Sequence, residues 1–176
     1  MRHDAAGVGD PGAALLDVYD EALPRVYGYI LSRCGEKALA EDLTAETFLA
    51  AVDAVRRGGD PPRVSAAWLV GVARHKLVDH WRRQAREERG LSAVVVDAPG
   101  EDDPWDERID ALRAGDVLAG LPPHHRAALT LRYLDDLPVS EVAALLERTV
   151  PGTEALLVRA RAAFRRSYAE EGVSDD

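Results

Sequence analysis

Val139-Ser-Glu-Val-Ala-Ala-Leu-Leu-Glu-Arg-Thr-Val-Pro-Gly-Thr-Glu-Ala-Leu-Leu-Val-Arg-Ala-Arg-Ala-Ala-Phe164 holds two helical patterns separated by a short turn. In the first, Val139 to Glu147, the apolar residues Val142, Ala143 and Leu146 take the inward positions. Arg148-Thr-Val-Pro-Gly152 punctuates. The second pattern, about residues 153–168, has Leu157, Ala160 and Phe164 on an inner face. Its opposite face carries Glu154, Ala155, Val158, Arg159 and Arg161. This is the helix-turn-helix layout, whose second helix enters the DNA major groove while the first braces the backbone. An arginine there pairs bidentately with a guanine edge, and a glutamate accepts from a cytosine amino group. An ordinary helical hairpin with surface arginines has the same spacing, and spacing alone leaves the two readings even.

Working outward, Leu121-Pro-Pro123 precedes two short helices, about 123–134 and 139–147. Asp103-Pro104 reads as an N-cap and first helical position for a helix over 105–119, through Ile109, Leu112 and Val117. Asp97 to Asp103 is acidic, with Pro99 and Gly100, and reads as a linker. Before it, Ser65 is placed to cap a helix over about 66–89. That helix has an inward ladder of Leu69, Ala73, Leu77 and Trp81. The loop Gly58-Gly59-Asp60-Pro61-Pro62 separates it from a helix over Glu36 to Arg57, with Leu39, Leu43, Thr47, Ala50 or Ala51, and Ala54 on one face. Ala13 to Leu23 reads as a helix that Pro24 breaks or restarts, with Val26, Tyr27, Ile30 and Leu31 continuing the stripe until Gly35. Val94-Val95-Val96 is too short to build a sheet. The fold class is therefore all-α. Two small helical domains, 13–90 and 105–169, are joined by an acidic linker, 91–104, with tails at 1–12 and 170–176.

Composition bounds the function. The chain has 176 residues, enough for two small domains with real cores, and 47 % of them are apolar, which excludes wholesale disorder. Aromatics are only 6 %. No apolar run approaches the length of a membrane helix, and Met1 to Pro11 lacks the basic start and apolar stretch of a secretory signal. The single Cys34 excludes an internal disulfide and a multi-cysteine zinc site, so a reducing cytoplasm is the natural compartment.

The net charge of −9 argues against a nucleic-acid partner until it is resolved along the chain. Residues 63–89 hold 7 basic and 3 acidic residues, and 148–166 hold 5 basic and 1 acidic. Residues 1–55 hold 10 acidic and 4 basic, and 97–116 hold 8 acidic and 2 basic. Screening over about 10 Å makes DNA respond to the local patches rather than to the total. On the 66–89 helix, His75, Asp79, Arg82 and Arg86 form a stripe beside the inward ladder, flanked by Arg74, Lys76, Arg83 and Arg89. Such a stripe neutralises phosphates. The helix before it is different: Glu41, Asp42, Glu46 and Asp53 lie near Phe48 and Leu49. An acidic surface with an exposed aromatic suits a basic protein partner, although a solvated helix face has the same composition.

Enzymatic motifs are absent: there is no Gly-rich phosphate loop, no Gly-x-Ser-x-Gly and no His-Glu-x-x-His. His75 and His80 are poorly spaced for one metal, and His124 and His125, adjacent on a helix, are expected to point apart. No cofactor is implied.

The order of these parts resembles bacterial RNA polymerase sigma factors. Ala40-Glu-Asp-Leu-Thr-Ala-Glu-Thr-Phe-Leu49 is similar to the family's AEDLxxETFL motif. Ala67-Trp-Leu69 with Val72 to Arg83 is similar to its AWLxxxARNxxxDxxRR segment. Leu121-Pro-Pro, Leu131 to Leu134 and Val139 to Ala143 resemble the opening of its C-terminal region, and Thr149 to Phe164 its recognition helix. The match covers about residues 13–168, and the short, two-region length points to the extracytoplasmic-function (ECF) group. The resemblance implies a non-enzymatic promoter-specificity subunit that binds core RNA polymerase and assists DNA melting. Region 2 would dock Glu41, Asp42, Glu46 and Phe48 on the β′ clamp helices. Arg63, His75, Asp79, Arg82, Arg83 and Arg86 would serve the −10 element, with the loop Arg56 to Arg63 capturing a flipped base at a cost of a few kcal/mol of unstacking. Region 4, near the β flap, would read the −35 element with Glu154, Ala155, Val158 and Arg159, while Arg148 and Arg161 hold phosphates. The acidic linker would thread the polymerase, and an anti-sigma factor is an expected partner.

Departures from the family pattern are local. His75 stands where the family more often has Asn. Glu154 and Leu156 stand where many members, with Gly-Thr-Val-Lys-Ser-Arg, have basic residues. An exposed Leu156 facing a protein partner is one expectation. A stand-alone helix-turn-helix regulator with an N-terminal dimerisation or sensor module is the alternative, and the Glu41-to-Phe48 motif separates the two, because a regulator has no use for it.

Overall fold

The computed structural model describes residues 11–57, 63–91 and 111–173, and its regular elements there are all helical. They are α1 (Pro11–Cys34), α2 (Lys37–Arg56), α3 (Ala66–Leu91), α4 (Ala111–Gly120), α5 (Pro123–Leu129), α6 (Val139–Leu145) and α7 (Val150–Val173), with a π-helical turn at Thr130–Leu134 after α5. The loop at 58–62, the Val94–Val96 run, the acidic linker with its Asp103-Pro104 cap and the first part of the expected 105–119 helix lie outside the described residues. The chain forms two compact units, Met1–Leu77 and Val78–Asp176, and the division falls within α3.

In the first unit α1 and α2 make an antiparallel-type helical hairpin around a tight corner. Gly35 takes φ 70°, and its N–H donates to the Leu31 carbonyl at 2.9 Å, so the αL position after α1 closes the helix as a glycine allows. Leu15, Ala22, Val26, Ile30 and Cys34 are buried along α1, and Ala40, Leu43, Thr44, Thr47 and Ala51 along α2. Leu69, Ala73 and Leu77 of α3 are buried as the ladder predicts, and Ala66 is buried with them. The Ser65 cap is present: its hydroxyl accepts from the Trp68 N–H at 3.1 Å.

Pro24 does not break α1; it lies inside one continuous helix. An interior proline forfeits one backbone hydrogen bond and ordinarily costs about 3 kcal/mol. It sits on the exposed face, where water reaches the freed carbonyl, while Ala22, Val26 and Ile30 are fully buried and hold the two halves in one register.

The second unit surrounds α7. Leu156, Leu157, Ala160, Ala163 and Phe164 are buried on it, and α4, α5 and α6 all pack against it. Val117, Leu121, Ala127, Ala128, Leu129, Leu131, Val142, Ala143 and Leu146 supply the rest of that core, together with Val78, Trp81 and Ala85 from α3. Arg113 of α4 donates to the Tyr168 carbonyl and lies 4.0 Å from that ring's centroid, tying α4 to the end of α7. Arg126 likewise donates to the Leu118 carbonyl at 2.9 Å.

Helix α7 starts at Val150, before the expected start at about 153, and runs on to Val173. Thr149 is its N-cap: the hydroxyl accepts from the Gly152 N–H at 3.2 Å. Pro151 and Gly152, which look like turn residues in sequence, fall in the first turn, where backbone donors have no helical partner in any case.

Candidate functional site

The outer face of α2 is an acid–apolar ridge. Asp42, Ala45, Glu46 and Leu49 recur at helical spacing; Asp42 and Ala45 are exposed, and Leu49 is 66 % exposed. Glu41 is exposed and lies 4.0 Å from Lys37, whereas Glu46 is half-buried and pairs with Lys76 of α3 at 3.6 Å. The expected exposed aromatic needs correcting. Phe48 is half-buried, with its ring centroid 5.0 Å from that of Tyr19, and the large apolar side chain presented to solvent is Leu49. Tyr19, Leu23, Pro24, Tyr27, Thr44 and Phe48 line an apolar groove of about 530 Å³ beside Glu41. The groove is a tertiary feature of the α1–α2 pair, and sequence spacing does not reveal it.

The residues expected at the −10 element, Arg63 before α3 and the rest on it, are divided between the two units. Arg63 and His75 are exposed in the first. In the second, Asp79, Arg83 and Arg86 are exposed, and Arg82 is half-buried in a double ion pair, with Asp79 at 3.1 Å and with Glu147.

Glu147 explains the helix-turn-helix corner. It takes φ 53°, the αL conformation usually given to glycine at this position. Its N–H donates to the Ala144 carbonyl at 3.2 Å, and the Arg148 N–H to the Ala143 carbonyl at 2.9 Å, which closes α6 in a Schellman motif. A non-glycine residue there carries roughly 1–2 kcal/mol of backbone strain. The glutamate side chain is paired with Arg82.

On α7, Glu154 and Ala155 are exposed, and Val158, Arg159 and Arg161 are half-buried. The Arg161 guanidinium donates to the Tyr133 hydroxyl at 3.0 Å. Leu156 is not an exposed surface residue: it is 1 % exposed and part of the second unit's core. Glu154 and Ala155, with the half-buried Arg159, are the residues this part of α7 presents outward.

Three residues that sequence reading divides between two DNA elements, Arg82, Arg86 and Arg148, line one cavity in the second unit. Its volume is about 290 Å³, and Trp81, Ala85, Arg89, His124, Ala127, Leu146, Glu147 and Leu156 complete its walls. Burial first, and then the fields of Arg148, Arg89 and Arg159, hold the His124 imidazole below its ordinary value of 6.5. Burial and the same neighbours, Arg89 and Arg159, also lower Arg148. The His124 and His125 rings do not diverge; their centroids are 4.3 Å apart, because His125 is buried and His124 lies against it. No helix among the described residues is long and apolar enough to cross a membrane.

Two family models match, Sigma-70 region 2 over residues 18–87 and Sigma-70, region 4 over residues 111–164. The chain is 31 % identical to the ECF RNA polymerase sigma factor SigL of Mycobacterium tuberculosis over 96 % of its own length and 97 % of that protein. The chain belongs to the extracytoplasmic-function sigma factors. It is also 33 % identical to the ECF sigma factor BldN of Streptomyces coelicolor, over 88 % of its own length but only 59 % of that relative's. SigM of Bacillus subtilis is 29 % identical over 91 % of this chain and 98 % of its own. A solved structure of the sigma factor RpoE with the anti-sigma factor NepR, from Bartonella quintana, has a TM-score of 0.51 at 19 % identity, over 84 % of this chain and 91 % of that one, and shares the fold. ECF sigma factors are non-catalytic factors of transcription initiation, and α2–α3 and α4–α7 of this sigma factor fall in the two regions its family uses.

Proposed function

We propose that this sigma factor docks on core RNA polymerase through the α2 ridge of Asp42, Glu46 and Leu49, with Glu41 and the Tyr19–Phe48 pair behind it. The observation that carries the reading is that ridge: carboxylates and a solvent-exposed leucine on one helix, a surface unsuited to DNA and suited to a basic protein. The −10 element is assigned to Arg63, His75, Asp79, Arg82, Arg83 and Arg86. The −35 element is assigned to Glu154, Ala155, Val158 and Arg159, with Arg148 and Arg161 on phosphates. The Thr149 cap supports the second assignment, since it fixes the start of the helix that carries these residues. Residues 13–90 and 105–169 act as the two functional domains, in the cytoplasm. An anti-sigma factor, the class of protein bound in the Bartonella quintana structure, is a further partner.

The test is co-elution with purified core polymerase, followed by run-off transcription across a promoter library. Co-elution with transcription from a defined pair of −35 and −10 sequences is the expected result. DNA binding by the chain alone, with no polymerase association, would replace this reading with that of a stand-alone regulator.

A further inference from the structure

The cavity of the second unit is electrostatically one-sided. Four guanidiniums, those of Arg82, Arg86, Arg89 and Arg148, line it against the single carboxylate of Glu147. Glu147 is already engaged by Arg82, which also holds Asp79. Among the described residues no ion pair holds Arg86, Arg89 or Arg148. Arg89 is kept in place by its own helix, donating from Nε to the Ala85 carbonyl at 2.9 Å. Like charges brought together with too little counter-charge destabilise one another; burial first, and then the neighbouring guanidiniums, lower both Arg148 and His124.

Behind the arginines the wall is apolar, formed by Trp81, Ala85, Ala127, Leu146 and Leu156. Trp81 is 1 % exposed, and its indole N–H has no hydrogen-bond partner.

We infer that this cavity binds a small phosphorylated ligand carrying a di- or triphosphate group, free or as a nucleotide. The guanidinium fork matches phosphate oxygens bidentately, and a pyrophosphate offers enough charge for Arg86, Arg89 and Arg148 together. The volume of about 290 Å³ lies just below the usual range of ligand pockets, about 300–1,000 Å³, which favours a small ligand. The inference is independent of polymerase docking. Binding would place the ligand on Arg82, Arg86 and Arg148, which are also assigned to DNA, so ligand and promoter DNA would compete for them.

Titration calorimetry of the full chain tests this with inorganic pyrophosphate, ADP, adenosine and a random-sequence DNA duplex as separate probes. Saturable one-to-one binding of pyrophosphate or ADP, and none of adenosine, is expected. Tighter ADP than pyrophosphate identifies a nucleotide as the ligand class; equal affinities identify the phosphate group alone. Arg89→Ala should weaken binding at least tenfold. Arg25→Ala, which removes the same charge from the first unit, should leave it unchanged. Circular dichroism confirms that both variants are folded, and Arg89→Lys, which keeps the charge and loses the fork, should bind with intermediate affinity. Equal weakening by Arg25→Ala, a non-saturable response, or binding of the DNA duplex alone would overturn the inference.

Discussion

Replacing Leu156 with lysine puts a charge where the structure has a core side chain, and the structure predicts that it damages the protein. The side chain is 1 % exposed and shares its surroundings with Trp81, Ala127 and Leu146. Removing a leucine of that burial from water contributes about 1.5–3 kcal/mol. The lysine stem recovers part of that contact, but its ammonium either enters a space lined by Arg89 and Arg148 or swings out and leaves a void. The net loss is about 2–4 kcal/mol. For a unit of this size each kcal/mol moves the midpoint by about 4–8 °C, so the melting temperature should fall by at least about 8 °C. Leu156→Met, which nearly conserves volume, should cost less than about 1.5 kcal/mol. Thermal unfolding followed by circular dichroism measures both. A lysine variant that melts with the parent and binds promoter DNA more tightly would show that Leu156 belongs to the DNA-facing surface and that the core assignment is wrong.

Four further outcomes are expected. Asp42→Arg and Leu49→Ala should each reduce core-polymerase affinity at least tenfold, about 1.4 kcal/mol, with the circular dichroism spectrum unchanged; Phe48→Ala should also lower stability, because it removes the Tyr19 contact. Thr149→Ala should destabilise the second unit by about 1 kcal/mol in urea unfolding, and Thr149→Asn should not. The His124 imidazole resists protonation in the folded chain, so the unfolded chain binds more protons once pH falls below 6.5. Stability should therefore be fully present above that value and decline below it, and His124→Gln should flatten this part of the pH profile. Pro24→Ala should raise the midpoint of the first unit by restoring a helical donor on an exposed face, a gain of about 1–3 kcal/mol; a lower midpoint would mean that the proline shape itself is required there.

Periodic features were legible in the sequence. The Leu69, Ala73, Leu77 and Trp81 ladder, the Val142, Ala143 and Leu146 face and the Ser65 cap follow from helical spacing and local hydrogen bonding alone. Pro24 misled because a local rule met a tertiary stripe that outweighs it. The start of α7 is not legible because Pro151 and Gly152 signal a turn unless they fall in a helix's first turn. Only packing shows that Leu156 faces the core. Nothing in the sequence marks Glu147 as αL, since glycine is the residue that signals this conformation. The gathering of Arg82, Arg86, Arg89 and Arg148 around one cavity depends on the meeting of separate helices, which spacing along one helix cannot describe.

The π-helical turn after α5 bears on how sequences of this family are compared. The Asp135 N–H reaches back to the Thr130 carbonyl at 3.0 Å, so one loop of helix holds a residue more than the α-helical count. Leu131 is buried while Leu134 is half exposed, although positions three apart share a face in an ordinary α-helix. A relative one residue shorter between Thr130 and Leu134 can close this turn as plain α-helix and still deliver the chain to α6. The natural place for an alignment gap in this region is therefore within the helix, not in the Asp135–Pro138 connection that follows it. An alignment that moves the gap into that connection would misassign the buried and exposed positions of the turn by about 100° per residue of slip.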